Sequence, residues 1–163
     1  MLLNSEVCPE YVTGTNKTES DDYLIASALR VLNARVKRPR YFTEAKSAGE
    51  YFAIHSANLE NEVFSIALLD SQNGLIKIEK VSLGTINQAT VYPREIVKLA
   101  LSVNASAVIL HHNHPSGNVK PSRADETLTQ TLKTALSLVG VEVLDHIITA
   151  GGSWFSFADA GMV

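Results

Sequence analysis

The stretch Ile109 to Asp125, ILHHNHPSGNVKPSRAD, limits what this chain can fold into more than any other. An apolar run, Ala107 to Leu110, leads straight into His111, His112 and His114. Such a run reads as a buried strand that carries its last residues to the rim of a sheet. Alternate residues of a strand point to the same side, so His112 and His114 face one point while His111 and Asn113 face away. Pro115, Gly117 and Pro121 bend the loop that follows, and Ser122 and Asp125 open a helix. The bent loop can return Asp125 to the two histidines. Two imidazoles and a carboxylate at a strand end are a donor set that zinc favours when a fourth position stays open for water. Each residue also has a plainer reading. A lone histidine at a strand end is an ordinary polar residue, and a Ser with an acid three residues later is a capping box. The two readings of Asp125 are compatible, because Glu126 is also available to the helix N-terminus. Asn113 and Ser116 are read as stabilising the turns of this loop.

The rest of the composition mainly excludes. With 163 residues, 45% of them hydrophobic, the chain can bury one sizeable core. No apolar run is long enough to cross a bilayer. The start, MLLNSEVCPEYVTGTN, lacks the basic end and apolar centre of a signal peptide. The single cysteine, Cys8, excludes an internal disulfide and a cysteine-ligated structural zinc, and fits a reducing cytoplasm. Cys8 has no base nearby to make it a nucleophile. The net charge of −3 gives no general attraction to nucleic acid. The one basic cluster, Arg35 to Arg40, reads as the solvated end of a helix rather than as a phosphate contact.

Taken in order, residues 1–19 are expected to be a loose tail. An amphipathic helix follows from Ser20–Asp22 to Arg38–Pro39, with Leu24, Ile25, Ala28, Leu29 and Leu32 on one face. That face has two candidate partners, the main domain and a second copy of the chain in a homodimer. A second helix is expected from a Thr43 cap through Ile54, weakened by Gly49, with His55 on its surface. Glu62 to Asp70 is a strand, and Asn73-Gly74 before Leu75 signals a hairpin. A third strand is expected from Val81 to Ile86, interrupted at Gly84. A helix opens at Tyr92-Pro93, with Ile96, Val97, Ala100 and Leu101 as its apolar face. Arg94 and Glu95 are either an ion pair or part of a substrate surface. Thr127 to Leu138 is a helix stopped by Gly140, and Val141 to Thr149 is a strand or two. Gly151-Gly152 is a turn, and Trp154 to Phe157 closes the sheet. Mixed elements in this order predict an α/β fold of the α+β sandwich kind, a mixed, mainly antiparallel sheet flanked by helices on both faces.

The spacing carries a resemblance. His112-Asn113-His114-Pro115, seven residues from His114 to Ser122, then two residues to Asp125, resembles the metal-binding signature of the JAMM (MPN-domain) metallohydrolases. Further segments are similar to the RadC-like branch of that family: Val91-Tyr-Pro-Arg-Glu95, His112-Asn-His-Pro-Ser-Gly117, Pro121-Ser-Arg-Ala-Asp125, Leu144-Asp-His146 and Ser156-Phe-Ala158. The resemblance runs over residues 41–163, with residues 1–40 as a tail and helix outside it. It implies a single domain of the JAMM/MPN, cytidine-deaminase-like type.

It also implies roles. Zinc would be held by His112, His114 and Asp125, with water at the fourth position. Glu62 matches the family's general acid/base, with Glu60 as runner-up, and Ser122 matches the serine that helps hold the oxygen of the tetrahedral intermediate. The expected activity is zinc-dependent hydrolysis of a peptide or isopeptide bond in a protein or peptide substrate. Asp145 or His146 could hydrogen-bond a ligand histidine's free N–H, against a plain strand-end reading that is favoured for His146. Two other functions compete. A DNA-repair accessory gains little, because residues 1–40 lack the glycine hairpin of the helix–hairpin–helix region in longer relatives. A non-catalytic scaffold would be expected to lose metal ligands, which this sequence keeps. A zinc deaminase needs paired cysteines, and a helical HExxH motif is missing.

Overall fold

The computed structural model describes residues 23–28, 30, 40–83 and 91–163. The chain divides into two units, residues 1–38 and 39–163. In the first, 23–28 and 30 are helical; both ends of the expected helix, at Ser20–Asp22 and Arg38–Pro39, lie outside the described residues.

The second unit is built on five strands, β1 (Val63–Leu69), β2 (Leu75–Leu83), β3 (Ala107–Asn113), β4 (Glu142–Ala150) and β5 (Ser153–Ser156). Their spatial order is β2-β1-β3-β4-β5. The β1–β2, β1–β3 and β4–β5 pairs are antiparallel and β3–β4 is parallel. Three helices cover the sheet: α1 (Ala45–Ser56), α2 (Pro93–Ser102) and α3 (Arg123–Ser137). The mixed, mainly antiparallel sheet of an α+β domain is as expected. Parallel strands need a long crossover, and the connection from β3 to β4 supplies it as the loop and helix that carry Asp125.

β1 and β3 are buried along their whole length, which is why β1 is apolar but for Ser65 and β3 is apolar from Ala107 to Leu110. Period-2 alternation sorts their side chains. Phe64, Ile66, Leu68, Val108 and Leu110 pack with Ile96 and Ala100 of α2 and Leu132 and Leu136 of α3. Ala67, Leu69, Ala107 and Ile109 pack on the other face with Ala48 and Phe52 of α1. The hairpin forms where Asn73 takes φ 61, with Asp70 Oδ1 accepting the backbone N–H groups of Gln72 and Gly74, both at 2.8 Å.

Several expected boundaries need correction. Val81 to Leu83 continue β2, held by pairing of Val63 with Leu83, so they do not begin a third strand; residues 84–90 lie outside the described residues. Position 44, not Thr43, caps α1, and it makes no side-chain cap bond. α3 begins at Arg123 behind the Ser122 cap, as the capping-box reading has it, so Thr127 to Leu138 is only part of that helix. Leu101 is 51% exposed, so the buried face of α2 rests on Ile96 and Ala100. Arg94 and Glu95 form an exposed ion pair at 3.3 Å. His55 is exposed and stacks on Tyr51. Among the described residues no helix is long and apolar enough to cross a membrane.

Candidate metal centre

Parity along β3 decides where each histidine goes. His112 shares a face with Val108 and Leu110, toward α3, whereas His111 goes to the α1 face and stacks on Phe52 with ring centroids 4.2 Å apart. His114 stands one residue past the strand, its backbone N–H bonded to the Thr149 carbonyl at 2.8 Å. Asp125 lies in the first turn of α3, where the capping box fixes it. Its Oδ2 accepts the Ser122 backbone N–H at 2.7 Å, and its own N–H donates to Ser122 Oγ at 3.2 Å.

His112, His114 and Asp125 converge, each offering one donor atom within 4.8 Å of the others. His112 Nε2 and His114 Nε2 are 2.8 Å apart. Asp125 Oδ1 is 3.3 Å from His112 Nε2, and Oδ2 is 3.8 Å from His114 Nε2. Donor atoms about 2.0–2.2 Å from a tetrahedral ion stand about 3.3 Å from one another, so the three separations bracket that spacing. The donor chemistry fits as well. His114 Nδ1 bonds the Asn118 carbonyl at 2.7 Å. A carbonyl oxygen only accepts, so the proton of neutral His114 sits on Nδ1 and the Nε2 lone pair faces the centre. Burial pushes the pKa of His112 down to about 4, against the pull of the Asp125 charge. Near neutral pH the gap is therefore suited to a metal cation rather than to an extra proton. The residues fit zinc.

Glu62 sits immediately before β1 and is exposed. Partial burial of its carboxyl pushes the pKa up; His114 works against the rise and Asp125 with it. Glu62 is therefore within electrostatic reach of two members of the donor set. Asn113 explains how it is placed. Its side chain bonds the backbone of Asn61 and of Val63, on either side of Glu62, a role different from the turn-stabilising one expected. Ser122 Oγ donates to Asp125 Oδ2 at 2.7 Å, so its hydroxyl proton is engaged by that carboxylate.

Asp145 and His146 divide contrary to expectation. Asp145 takes the Ser156 hydroxyl and the Ala158 and His146 N–H groups, closing the turn after β5. His146, fully buried, makes the contact with a donor-set histidine, 2.9 Å from His112 Nδ1. Pairing of Leu110 with His146 in the β3–β4 ladder puts it on that face. The sequence offered His146 as one of two candidates for this contact, but favoured the plain strand-end reading for it. A cavity of about 160 Å³ opens beside His114, between Ser56 at the end of α1, Leu59, Pro115 and the Gly151-Gly152 turn.

The model of the RadC-like JAB domain matches residues 42–162 of the chain. A UPF0758 protein of Paracidovorax citrulli is 48% identical over 92% of this chain and 63% of its own length. A second, from Methylibium petroleiphilum, is 49% identical over 83% of this chain and 61% of its own. The UPF0758 protein YkfG of Escherichia coli is 48% identical over 90% of this chain and 93% of its own. The chain thus spans about six tenths of the length of the first two relatives.

Proposed function

The chain belongs to the RadC-like JAB domain family, and from that premise we propose that it is a zinc-dependent hydrolase of amide or isopeptide bonds in a protein or peptide substrate. One observation carries the reading: two imidazole nitrogens and a carboxylate converge at the end of β3 with separations that bracket the donor spacing around a tetrahedral ion.

His112, His114 and Asp125 would hold the ion. Zinc bound there supplies a Lewis acid for the scissile carbonyl and lowers the pKa of water to about 7. Glu62 accepts the proton of the attacking water on its carboxylate and passes it to the leaving amine. Its raised pKa makes the carboxylate a stronger acceptor for the water proton, and the leaving amine, far more basic than a carboxylate, still takes that proton on. Ser122 donates its hydroxyl proton to the developing oxyanion by turning from Asp125 Oδ2.

The test is elemental analysis of the purified protein beside His112→Ala, then a screen of peptide and isopeptide substrates. One zinc per chain, lost in the variant, with hydrolysis in the screen, is the expected result. Protein that neither carries nor takes up zinc would turn the reading to a non-catalytic scaffold.

A further inference from the structure

We propose that His146 and Thr129, neither of them in the donor set, are positioning residues that hold His112 in the tautomer able to bind a metal. The inference rests on the zinc reading above.

The geometry fixes the direction of one proton, that of the Thr129 hydroxyl. Thr129 is one helical turn after Asp125, and its hydroxyl lies 2.6 Å from the Asp125 backbone carbonyl. The carbonyl can only accept, so the Thr129 proton points there and Oγ1 keeps only lone pairs for its other neighbour. That neighbour is His146 Nδ1, 2.6 Å away. Nδ1 must then be the protonated nitrogen of His146, which leaves a lone pair on its Nε2. His146 Nε2 in turn faces His112 Nδ1 at 2.9 Å, so His112 carries its proton on Nδ1. The last atom of the series, His112 Nε2, is left with a lone pair directed at His114 and Asp125.

Burial keeps the series in one direction. His112 is 1%, His146 0% and Thr129 2% exposed, so water has no access to supply an alternative partner. Were the Thr129 acceptor absent, His146 could move its proton to Nε2. It would then need a lone pair from His112 Nδ1, and the His112 proton would shift to Nε2, into the metal position. The path begins at the backbone of Asp125 and ends opposite its carboxylate. One helical turn of α3 therefore supplies a donor and sets the tautomer of another.

Zinc affinity can be measured by chelator competition on the full chain for wild type, His146→Leu, His146→Gln, Thr129→Val and Thr129→Ser. Removing a residue that orients a metal-binding histidine costs about 10- to 100-fold in metal affinity. That loss is expected for His146→Leu and Thr129→Val. Thr129→Ser keeps the hydroxyl and should stay near wild type. His146→Gln offers a carbonyl to His112 Nδ1–H and should fall between. Imidazole nitrogen NMR of metal-free Thr129→Val should show His112 losing its single Nδ1–H tautomer, a change that mere loosening of the core would not produce. Wild type that binds zinc, with His146→Leu and Thr129→Val binding it equally well, would overturn the inference alone. Wild type that binds no zinc would overturn the reading beneath it. If His146→Leu fails to fold, the Thr129→Val and Thr129→Ser pair decides.

Discussion

Asn113 Oδ1 accepts the backbone N–H of Val63 at 2.9 Å, and the same amide donates through Nδ2 to the Asn61 carbonyl at 3.0 Å. One buried side chain, set between His112 and His114, thus grips the main chain on both sides of Glu62. Asn113→Ala strands the buried Val63 N–H, which should cost about 1–3 kcal/mol. The donor set is untouched, so zinc content should hold while hydrolysis falls. Urea melts, elemental analysis and an activity assay on the same preparation check this. Wild-type stability together with wild-type turnover would show that the grip does not matter.

Glu62→Gln keeps size and hydrogen bonding but removes the proton acceptor. Zinc should remain, and turnover should fall by about 10²- to 10⁴-fold. In the wild type, burial holds the Glu62 carboxyl above its ordinary value of 4.5. The base works deprotonated, so kcat/KM should decline as pH falls through that raised pKa, and the residual rate of the variant should lack this limb. Full activity in Glu62→Gln would move the acid/base role to Glu60.

Asp125 serves both the capping box and the donor set, and two substitutions separate these uses. Ser122→Ala removes the cap and should cost about 1 kcal/mol. Its zinc should remain, because His112, His114 and Asp125 are all present. Asp125→Ala should cost a similar amount of stability and lose the metal as well. Stoichiometric zinc in Asp125→Ala would remove that residue from the donor set.

The donor set was legible because it rests on local rules: strand parity for His112 and His114, and helix-cap spacing for Asp125. The role of Asn113 was not, and that of His146 was weighed but disfavoured, because their partners lie 50 and 34 positions away. In sequence they are ordinary residues of two strands, and only the register of β1, β3 and β4 brings them to the site. Gly49 shows the same limit within the fold. As a residue type it argues against a helix, yet it sits inside α1 because a Cβ there would run into the Trp154 indole. A new strand was expected from Val81, interrupted at Gly84, whereas the hairpin ladder simply carries β2 on to Leu83.

His111, on the opposite face from the donor set, gives the fold an acid sensitivity of its own. It is 2% exposed, and its Nε2 lies 3.0 Å from Thr149 Oγ1. Its Nδ1 is a buried polar atom without a partner among the described residues. Burial, with help from His112, pushes its pKa from 6.5 down to about 3. Below pH 6.5 the unfolded chain therefore takes up a proton that the folded chain refuses. The stabilisation is complete above that pH and is lost as pH falls toward 3. At about 1.4 kcal/mol per unit below the unfolded pKa, His111 alone removes about 2 kcal/mol between pH 7 and pH 5. His111→Phe keeps a flat ring against Phe52 and removes the titrating group. Measured by urea melts of metal-free protein, its stability relative to wild type should rise by about 2 kcal/mol over that interval. The metal-free form keeps zinc loss from adding to the slope, and the remaining histidines, common to both proteins, cancel in the difference. Parallel pH profiles for the two proteins would mean that His111 accepts its proton without unfolding the chain.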